Sequence, residues 1–512
     1  MKTNPFFLAF IVSLGGFLFG FDAGIISGVM TYAGPQFGLD DQQLGWVVSS
    51  PSFAAMFAML LAGRVSDLVG RKPILLFIAF FYAVSAILSA YATSYEMLYL
   101  ARMLGGLAFG AALIIAPTYI SEISTAERRG KLVSIQQLNI VLGFFAAFLC
   151  NDTLNRIYTA GDSFLTEETI WRWMLGVEAI PAVFYLLFLF FVPKSPRWLF
   201  SKSRVEEGQQ VLQQLHGHEI AQAESAAIQE SIEAEIEREK GAISELFSPA
   251  LRFIMLIGLL IGILQQSTGI NAIYFYATGI FEQTGIGTNA AFTSGVLLSF
   301  TTVVFTIVAM FLIDKVGRRP LMLVGVGGIA VSLLMCAYGF NQATYQLTAE
   351  DIAALEGVDT STLDGVAGVV FESDVAFKSK MKELLGDQIY AKNEGSILEN
   401  AIEMNASLVL AGILGFIACF AFSLGPVMWV MLSELYPNRI RGLAIGTVGF
   451  VNSLTSFCVQ FAFPWELSNL GNAMSFFIFG LIAVVGFFLL IRFLPETKGK
   501  TLEELESELV RH

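Results

Sequence analysis

The stretch GRVSDLVGRKP (residues 63–73) comes back as LIDKVGRRP (residues 312–320). Asp67 then matches Asp314 and Arg71 matches Arg318, both at an offset of 247 residues. A second couplet behaves the same way. Glu122 followed by Arg129-Gly130 returns as Glu434 followed by Arg441-Gly442, at an offset of 312. Between the two couplets the offset grows by 65, and a hydrophilic stretch at about 341–404, about 64 residues long, accounts for the growth. A repeat on this scale sets the architecture before any local reading does. The chain is two homologous halves, and the second half carries an insert.

Outward from these motifs the sequence is apolar. Segments long enough to cross a bilayer fall at about 6–28, 43–62, 74–92, 97–120, 132–150, 171–192, 252–281, 290–313, 320–340, 405–432, 442–463 and 472–494. Twelve spans divide as six and six, so the expected organisation is a first half at 1–192, a helical linker at 193–251 and a second half at 252–512 with the insert inside it. The expected fold is an all-α membrane protein of two six-helix repeats. Parallel repeats of this kind form transporters whose site lies between the halves near mid-membrane.

Composition agrees. Of 512 residues 55% are hydrophobic and only 14% charged, against about a quarter charged in a soluble domain. Mean hydropathy is +0.67. The apolar runs are continuous rather than alternating, which excludes a membrane barrel. A net charge of −13 excludes nucleic acid, which demands a basic footprint. The four cysteines (Cys150, Cys336, Cys419, Cys458) show no CxxC spacing, and His216, His218 and His512 make no metal motif, so neither a metal nor a cofactor is expected. Asp22 interrupts the first span and spoils it as a cleavable signal.

An even number of spans puts both termini on one side. The basic segments Arg64–Lys72, Arg128–Lys131, Lys194–Arg204, Lys315–Arg319, Arg439–Arg441 and Arg492–Lys500 fall on that side, which is therefore expected to be cytoplasmic. The linker reads as helical at Val205–Leu215 and Ala223–Glu239. The insert holds 12 acidic and 4 basic residues and reads as a solvated segment with helical pieces such as Ala349–Leu355 and Phe377–Leu385. It is expected to be neutral decoration, with a lid or docking role as the alternative. Bare topogenic clusters need only basic residues. The repeated glycine spacing and the paired carboxylates point instead to a charge latch: Asp67, Arg71, Glu122 and Arg129 in one half, and Asp314, Arg318, Glu434 and Arg441 in the other.

Nine motifs in order carry a resemblance. Among them are GRVSDLVGRK (63–72), EISTAERRGK (122–131), VPKSPRWL (192–199), QQSTGIN (265–271), GPVMW (425–429), SELYPNRIRG (433–442) and PETKG (495–499). The chain resembles the sugar porters of the major facilitator superfamily, a group that includes proton-linked bacterial xylose, arabinose and galactose carriers and the animal glucose facilitators. A sugar is a ring of hydroxyls, and amides both donate and accept to such groups. Span 7 supplies Gln265, Gln266 and Asn271, with Gly269 between them to allow local unwinding. The alternative for these amides is interhelical bonding. The resemblance adds Gln137, Trp429 and Asn452 to the sugar site. It also makes gate residues of Tyr274, Phe275 and Tyr276, where Phe275 replaces a usual tyrosine, and of Gly425-Pro426. Thr302 and Phe144 also stand where relatives carry amides, which leaves the sugar open.

Asp22 is a carboxylate inside a span, a functional candidate by default. The resemblance gives it Arg102 as partner and gives Glu178 a place beside them in the proton-linked members. The expectation is import of a hexose or pentose by proton symport, with the proton gradient as energy source and monosaccharide, protons and lipid bilayer as the only partners of a monomer. A passive uniporter with a static ion pair, a sodium-coupled sugar or polyol carrier, and a non-transporting sugar sensor are the alternatives. No nucleophile–base constellation marks an enzyme.

Overall fold

The structure is a computed structural model. It describes residues 4–125, 128–161, 164–237, 245–246, 248–249, 251–355, 358–437 and 440–498, with backbone only at 234–237 and Asp314. Twelve of its helices are long and apolar enough to cross a membrane. They are Pro5–Phe37, Asp41–Val69, Arg71–Ala90, Tyr95–Glu122, Arg129–Thr159 and Ile170–Leu189 for spans 1–6. Spans 7–12 are Arg252–Phe275, Thr288–Ile313, Arg318–Asn341, Ala406–Leu435, Arg441–Asn469 and Gly471–Phe493. The face where span 1 begins and span 12 ends is called here the terminal face, and the opposite one the insert face.

The helices run past the apolar segments because a helix keeps its backbone bonds until something caps it. Span 1 starts on the Asn4 side chain, which accepts from the Phe6 N–H, and stops at Gly38 with φ +61°. Span 2 opens on a reciprocal capping pair between Asp40 and Gln43. Three spans break in the middle, and proline explains two of the breaks. Pro181 has no N–H for the Val177 carbonyl, and span 6 divides at Glu178 into Ile170–Val177 and Ala179–Leu189. Pro426 likewise has none for Phe422, where the first part of span 10 ends before Leu424–Leu435 begins. Span 7 breaks at Gly269, whose φ of +84° suits a residue without Cβ, then resumes as Ile270–Phe275, and a short helix Ala277–Glu282 extends beyond its end.

Spans 1 and 5 approach closely. A Cβ on Gly20 would lie 2.0 Å from the Ile140 carbonyl oxygen, and one on Gly143 would lie 2.0 Å from that of Phe17. This seats Asp22 inside the first half rather than against lipid.

The linker helices Pro196–Ser201, Val205–His216 and His218–Glu237 dock on the first half. Trp198 Nε1 donates to the Asp67 carbonyl at 3.2 Å, and a His216 ring nitrogen lies 3.1 Å from the Ile123 carbonyl. Glu239, like Arg439 and residues 499–512, lies outside the described residues.

The insert is a folded unit. Helices Ala349–Ala354, Asp374–Leu385 and Asp387–Ala401 surround a core that includes Tyr345, Leu363, Phe377, Met381 and Tyr390. Strand Thr344–Gln346 sits between Val370–Phe371 and Ile402–Glu403 in a three-stranded antiparallel sheet, with Tyr345 opposite both Phe371 and Ile402. Strands of two or three residues carry no readable alternation, so this sheet was not expected from the sequence.

The two halves meet at the insert face and at mid-depth. Asn155 Nδ2 donates to Asn289 Oδ1 at 2.7 Å, Arg156 Nη2 to Thr293 Oγ1 at 3.0 Å, and Ser468 Oγ to Asp41 Oδ1 at 2.9 Å. Nearest the terminal face is the 3.5 Å contact of Ser453 Oγ with Met59 Sδ. The insert face is closed.

Candidate functional site

The break in span 7 bends three amides toward span 11. Asn452 Nδ2 donates to the Gly262 carbonyl and to Gln265 Oε1, both at 2.8 Å. Gln266 Nε2 lies 3.2 Å from Gln265 Oε1 and 3.3 Å from Asn452 Oδ1. Asn271 Nδ2, past the break, donates to Gln266 Oε1 at 2.9 Å and to Ser456 Oγ at 2.7 Å. Gln265 Nε2 also donates to the Leu424 carbonyl at 3.0 Å, in the first turn after the break in span 10. The amides thus bond one another and nearby backbone carbonyls, as buried polar groups must.

The chain of bonds continues beyond the residues expected from the sequence. Gln460 Nε2 donates to Ser456 Oγ at 2.6 Å, and Ser52 of the first half donates to Gln460 Oε1 at 3.1 Å. Asn452, Ser456 and Gln460 recur every four residues along span 11, which places them on one face. That spacing is legible in the sequence and was the available signal for Ser456 and Gln460.

The other expected contacts are distributed around this chain. Gln137 is half-buried on span 5, next to Gln136, whose buried Oε1 has no partner. Trp429 is 44% exposed, with its ring beside Gly449, three residues before Asn452. Toward the insert face the Tyr274 and Thr302 hydroxyls bond each other, and the Tyr274 ring packs on Phe144 of the first half with centroids 4.8 Å apart. Phe275 and Tyr276 are buried, and the Tyr276 hydroxyl donates to the Gln460 carbonyl at 3.1 Å. Aromatic rings thus cover the amides on the closed side. Gly425 and Pro426 lie in the first turn after the break at Ser423.

In the first half Asp22 Oδ1 and Arg102 Nη1 are 3.1 Å apart, with side chains 8% and 2% exposed. Arg102 Nε also donates to the Val47 carbonyl at 3.2 Å. Glu178, at the break in span 6, is buried within electrostatic reach of both Asp22 and Arg102.

At the terminal face each half builds its own ion-pair cluster. Arg71 bridges Asp67 and Glu122, both at 2.8 Å, and Ser195 Oγ donates to Glu122 Oε2 at 2.5 Å. Arg318 pairs with Glu434 at 2.9 Å, and Thr497 Oγ1 donates to Glu434 Oε2 at 2.6 Å. Ser195 and Thr497 each sit two residues after a proline, Pro193 and Pro495, so the repeat has a third element. Arg441 Nε donates to the Tyr436 carbonyl at 3.1 Å, Arg129 is exposed at the start of span 5, and the Asp314 side chain is outside the described residues.

The family profile described as "Sugar (and other) transporter" matches residues 8–358 and 389–509. The chain belongs to the sugar porter family of the major facilitator superfamily. It is 31% identical over 494 residues to an arabinose-proton symporter of Bacillus subtilis (strain 168), covering 96% of this chain and 92% of the relative. It is 32% identical to the major myo-inositol transporter IolT of the same organism, covering 97% and 92%. The inward open conformation of the xylose transporter XylE from E. coli superposes with a TM-score of 0.74 at 27% identity, over 99% of this chain and 100% of that one. This sugar porter is a multi-pass membrane protein.

Proposed function

We propose that this protein imports a monosaccharide by proton symport, exposing one central site alternately to the two sides of the membrane. The observation that carries the reading is the buried Asp22–Arg102 pair with Glu178 beside it, in the half that faces the amide chain. Asp22 pairs with Arg102, and Glu178 is buried within electrostatic range of both. With all three ionised the cluster holds an excess negative charge in a low-dielectric setting, and a proton on either carboxyl removes it. Pairing with Arg102 and holding a proton are competing states of Asp22, so a conformational change that opens the pair changes proton occupancy.

The amide chain supports a polyhydroxylated solute. Its members bond one another and can exchange those bonds for sugar hydroxyls without leaving a buried donor orphaned. A hexose or pentose fits this chemistry, and the relatives include carriers named for arabinose, xylose, glucose and myo-inositol. The scheme draws its energy from the proton gradient, uses no cofactor, works as a monomer in the bilayer and leaves the sugar chemically unchanged.

We place the protein in the cell membrane with both termini in the cytoplasm. The basic residues Arg64, Lys72, Lys131, Lys315 and Arg319 at the terminal face support that side as cytoplasmic. The closed insert face is then the outer one, and this conformation faces inward, in keeping with the inward open relative.

Reconstituted protein should exchange radiolabelled sugar across a liposome and accumulate it when the side facing the insert is made acidic. A protonophore should abolish the accumulation. Equilibration without accumulation, or accumulation that follows a sodium gradient, would replace the proton scheme. Absence of counterflow for every monosaccharide in a panel would remove sugar transport itself.

A further inference from the structure

The insert touches both halves, and it grips them unequally. It leaves the second half between spans 9 and 10, and its bonds to that half are the stronger set. Asp374 Oδ2 accepts from the Asn472 N–H at 2.8 Å and from Asn472 Nδ2 at 2.9 Å, at the start of span 12. Gln283 Nε2, just past span 7, donates to Glu394 Oε1 at 2.9 Å, and Lys378 pairs with the same Glu394 at 3.6 Å. On the other side helix Asp387–Ala401 packs against both span 1 and the segment Ala277–Glu282. Its Lys392 reaches Glu167 of the first half at 2.9 Å, with the two side chains 58% and 45% exposed.

Span 1 and the extension of span 7 belong to opposite halves. Opening the insert face requires them to part, and helix Asp387–Ala401 lies against both. We infer that the insert is a clasp on this face: a stiff folded body, fixed to the second half and docked reversibly on the first, that favours the closed insert face and releases at the Lys392–Glu167 edge when that face opens. The inference rests on the alternating-access reading above, and is independent of which solute or ion is carried. The insert's own core makes it stiff enough to transmit the contact. Among the described residues the exposed Lys392–Glu167 pair stands alone on the first half, whereas the partly buried Asp374 and Glu394 make several bonds to the second, and this fixes which edge lets go.

The test uses the full chain with its four cysteines replaced and spin labels placed at Ala160→Cys and Ala290→Cys. These are exposed positions at the insert-face ends of spans 5 and 8, in opposite halves. Distances are read in liposomes without any sugar, so a failure of sugar transport does not alter the result. Lys392→Glu should raise the long-distance population about two- to fivefold, the range open to an exposed pair turned repulsive. Glu167→Lys should do the same, and the double exchange should restore the wild-type distribution. Replacing residues 342–403 with a short Gly/Ser linker should produce a larger shift than either single change. Unchanged distances in both single reversals, or a double exchange that fails to restore them, overturn the clasp. The charge exchanges decide the matter even where the linker variant fails to fold.

Discussion

Spans 1 and 7 are the first helices of their respective halves and occupy equivalent places in the repeat, yet they bury different chemistry. Span 1 buries a carboxylate against Arg102. Span 7 breaks at Gly269 and buries neutral amides that bond Asn452 and Ser456. Amides are interchangeable partners, because each donates and accepts and a lost neighbour can be replaced by a solute hydroxyl. A buried ion pair has no such latitude: remove one member and the other is left charged in a poor solvent. The duplicated scaffold thus places an adaptable polar surface in one half and a buried ion pair in the other. The terminal-face clusters are the control for this contrast, since there both halves keep the same ion pair.

The largest effect should come from the charged side. Asp22→Asn keeps shape and hydrogen bonding but mimics a permanently protonated acid. It should bind and exchange sugar, yet neither accumulate it against a gradient nor do so under an imposed pH difference, both measured in liposomes. Proton-driven accumulation by this variant would remove Asp22 from coupling and erase the contrast between the halves.

Next come the terminal-face pairs, where the halves should differ in degree only. Glu122 is 6% exposed beside Arg71, whereas Glu434 is 23% exposed beside Arg318. Arg71→Ala leaves a nearly buried carboxylate without its guanidinium, at a cost of about 3 kcal/mol. Arg318→Ala leaves a wetter one and should cost about 1 kcal/mol. Thermal melts in detergent should rank the two in that order. The opposite ranking would mean that burial does not set the strength of these clusters.

Much of this architecture is legible in the sequence. Twelve apolar runs, the offset jump and the glycine at 269 gave the span count, the insert and the bend, because each depends on local composition. Gln265, Gln266, Asn271 and Asn452 do come together, and so do Asp22 and Arg102. Ser52 and Gln460 were not legible as a link between halves, since a lone polar residue in an apolar span looks the same whether it bonds a neighbour or a substrate. Trp429 was assigned by resemblance, and its 44% exposure depends on how the helices around it are arranged in this conformation rather than on composition. The insert's sheet depends on pairing across some 60 residues of chain, and no short window contains that information.

On the amide side, Gln266→Ala and Asn271→Ala each leave sugar hydroxyls and neighbouring amides without partners, at about 1–3 kcal/mol. A loss of roughly tenfold in sugar affinity by calorimetry is expected, since about 1.4 kcal/mol is a factor of ten. Ser456→Ala, which removes a support shared by Asn271 and Gln460 rather than an amide, should lose less. Unchanged affinity in both amide variants would return these residues to the role of interhelical bonds.

The smallest effect concerns a carboxyl that neither half's chemistry uses. Glu282 lies beyond the end of span 7 at the insert face, and its Oε1 is buried without a partner. Burial pushes its pKa up to about 7; Thr288 bonds to it and pulls the other way, while Glu394 of the insert adds repulsion. The facing groups are Glu394, itself paired with Lys378, and Tyr32 of span 1. A raised pKa means that the closed, docked state holds the proton more tightly than an open state in which Glu282 meets water. Stabilisation of the closed face is therefore complete below the ordinary glutamate range and is lost as pH rises through about 7. Between about pH 6 and pH 8 the closed-to-open ratio should fall severalfold, and by no more than about tenfold, the span allowed by 1.4 kcal/mol per pKa unit once partial exposure is included. Glu282→Gln keeps the neutral form at every pH, so its 160–290 distance distribution should stay closed and flat across that range. A wild-type distribution that does not move with pH would show that Glu282 keeps the same surroundings in both states, and that parting from Tyr32 of span 1 does not admit water to it.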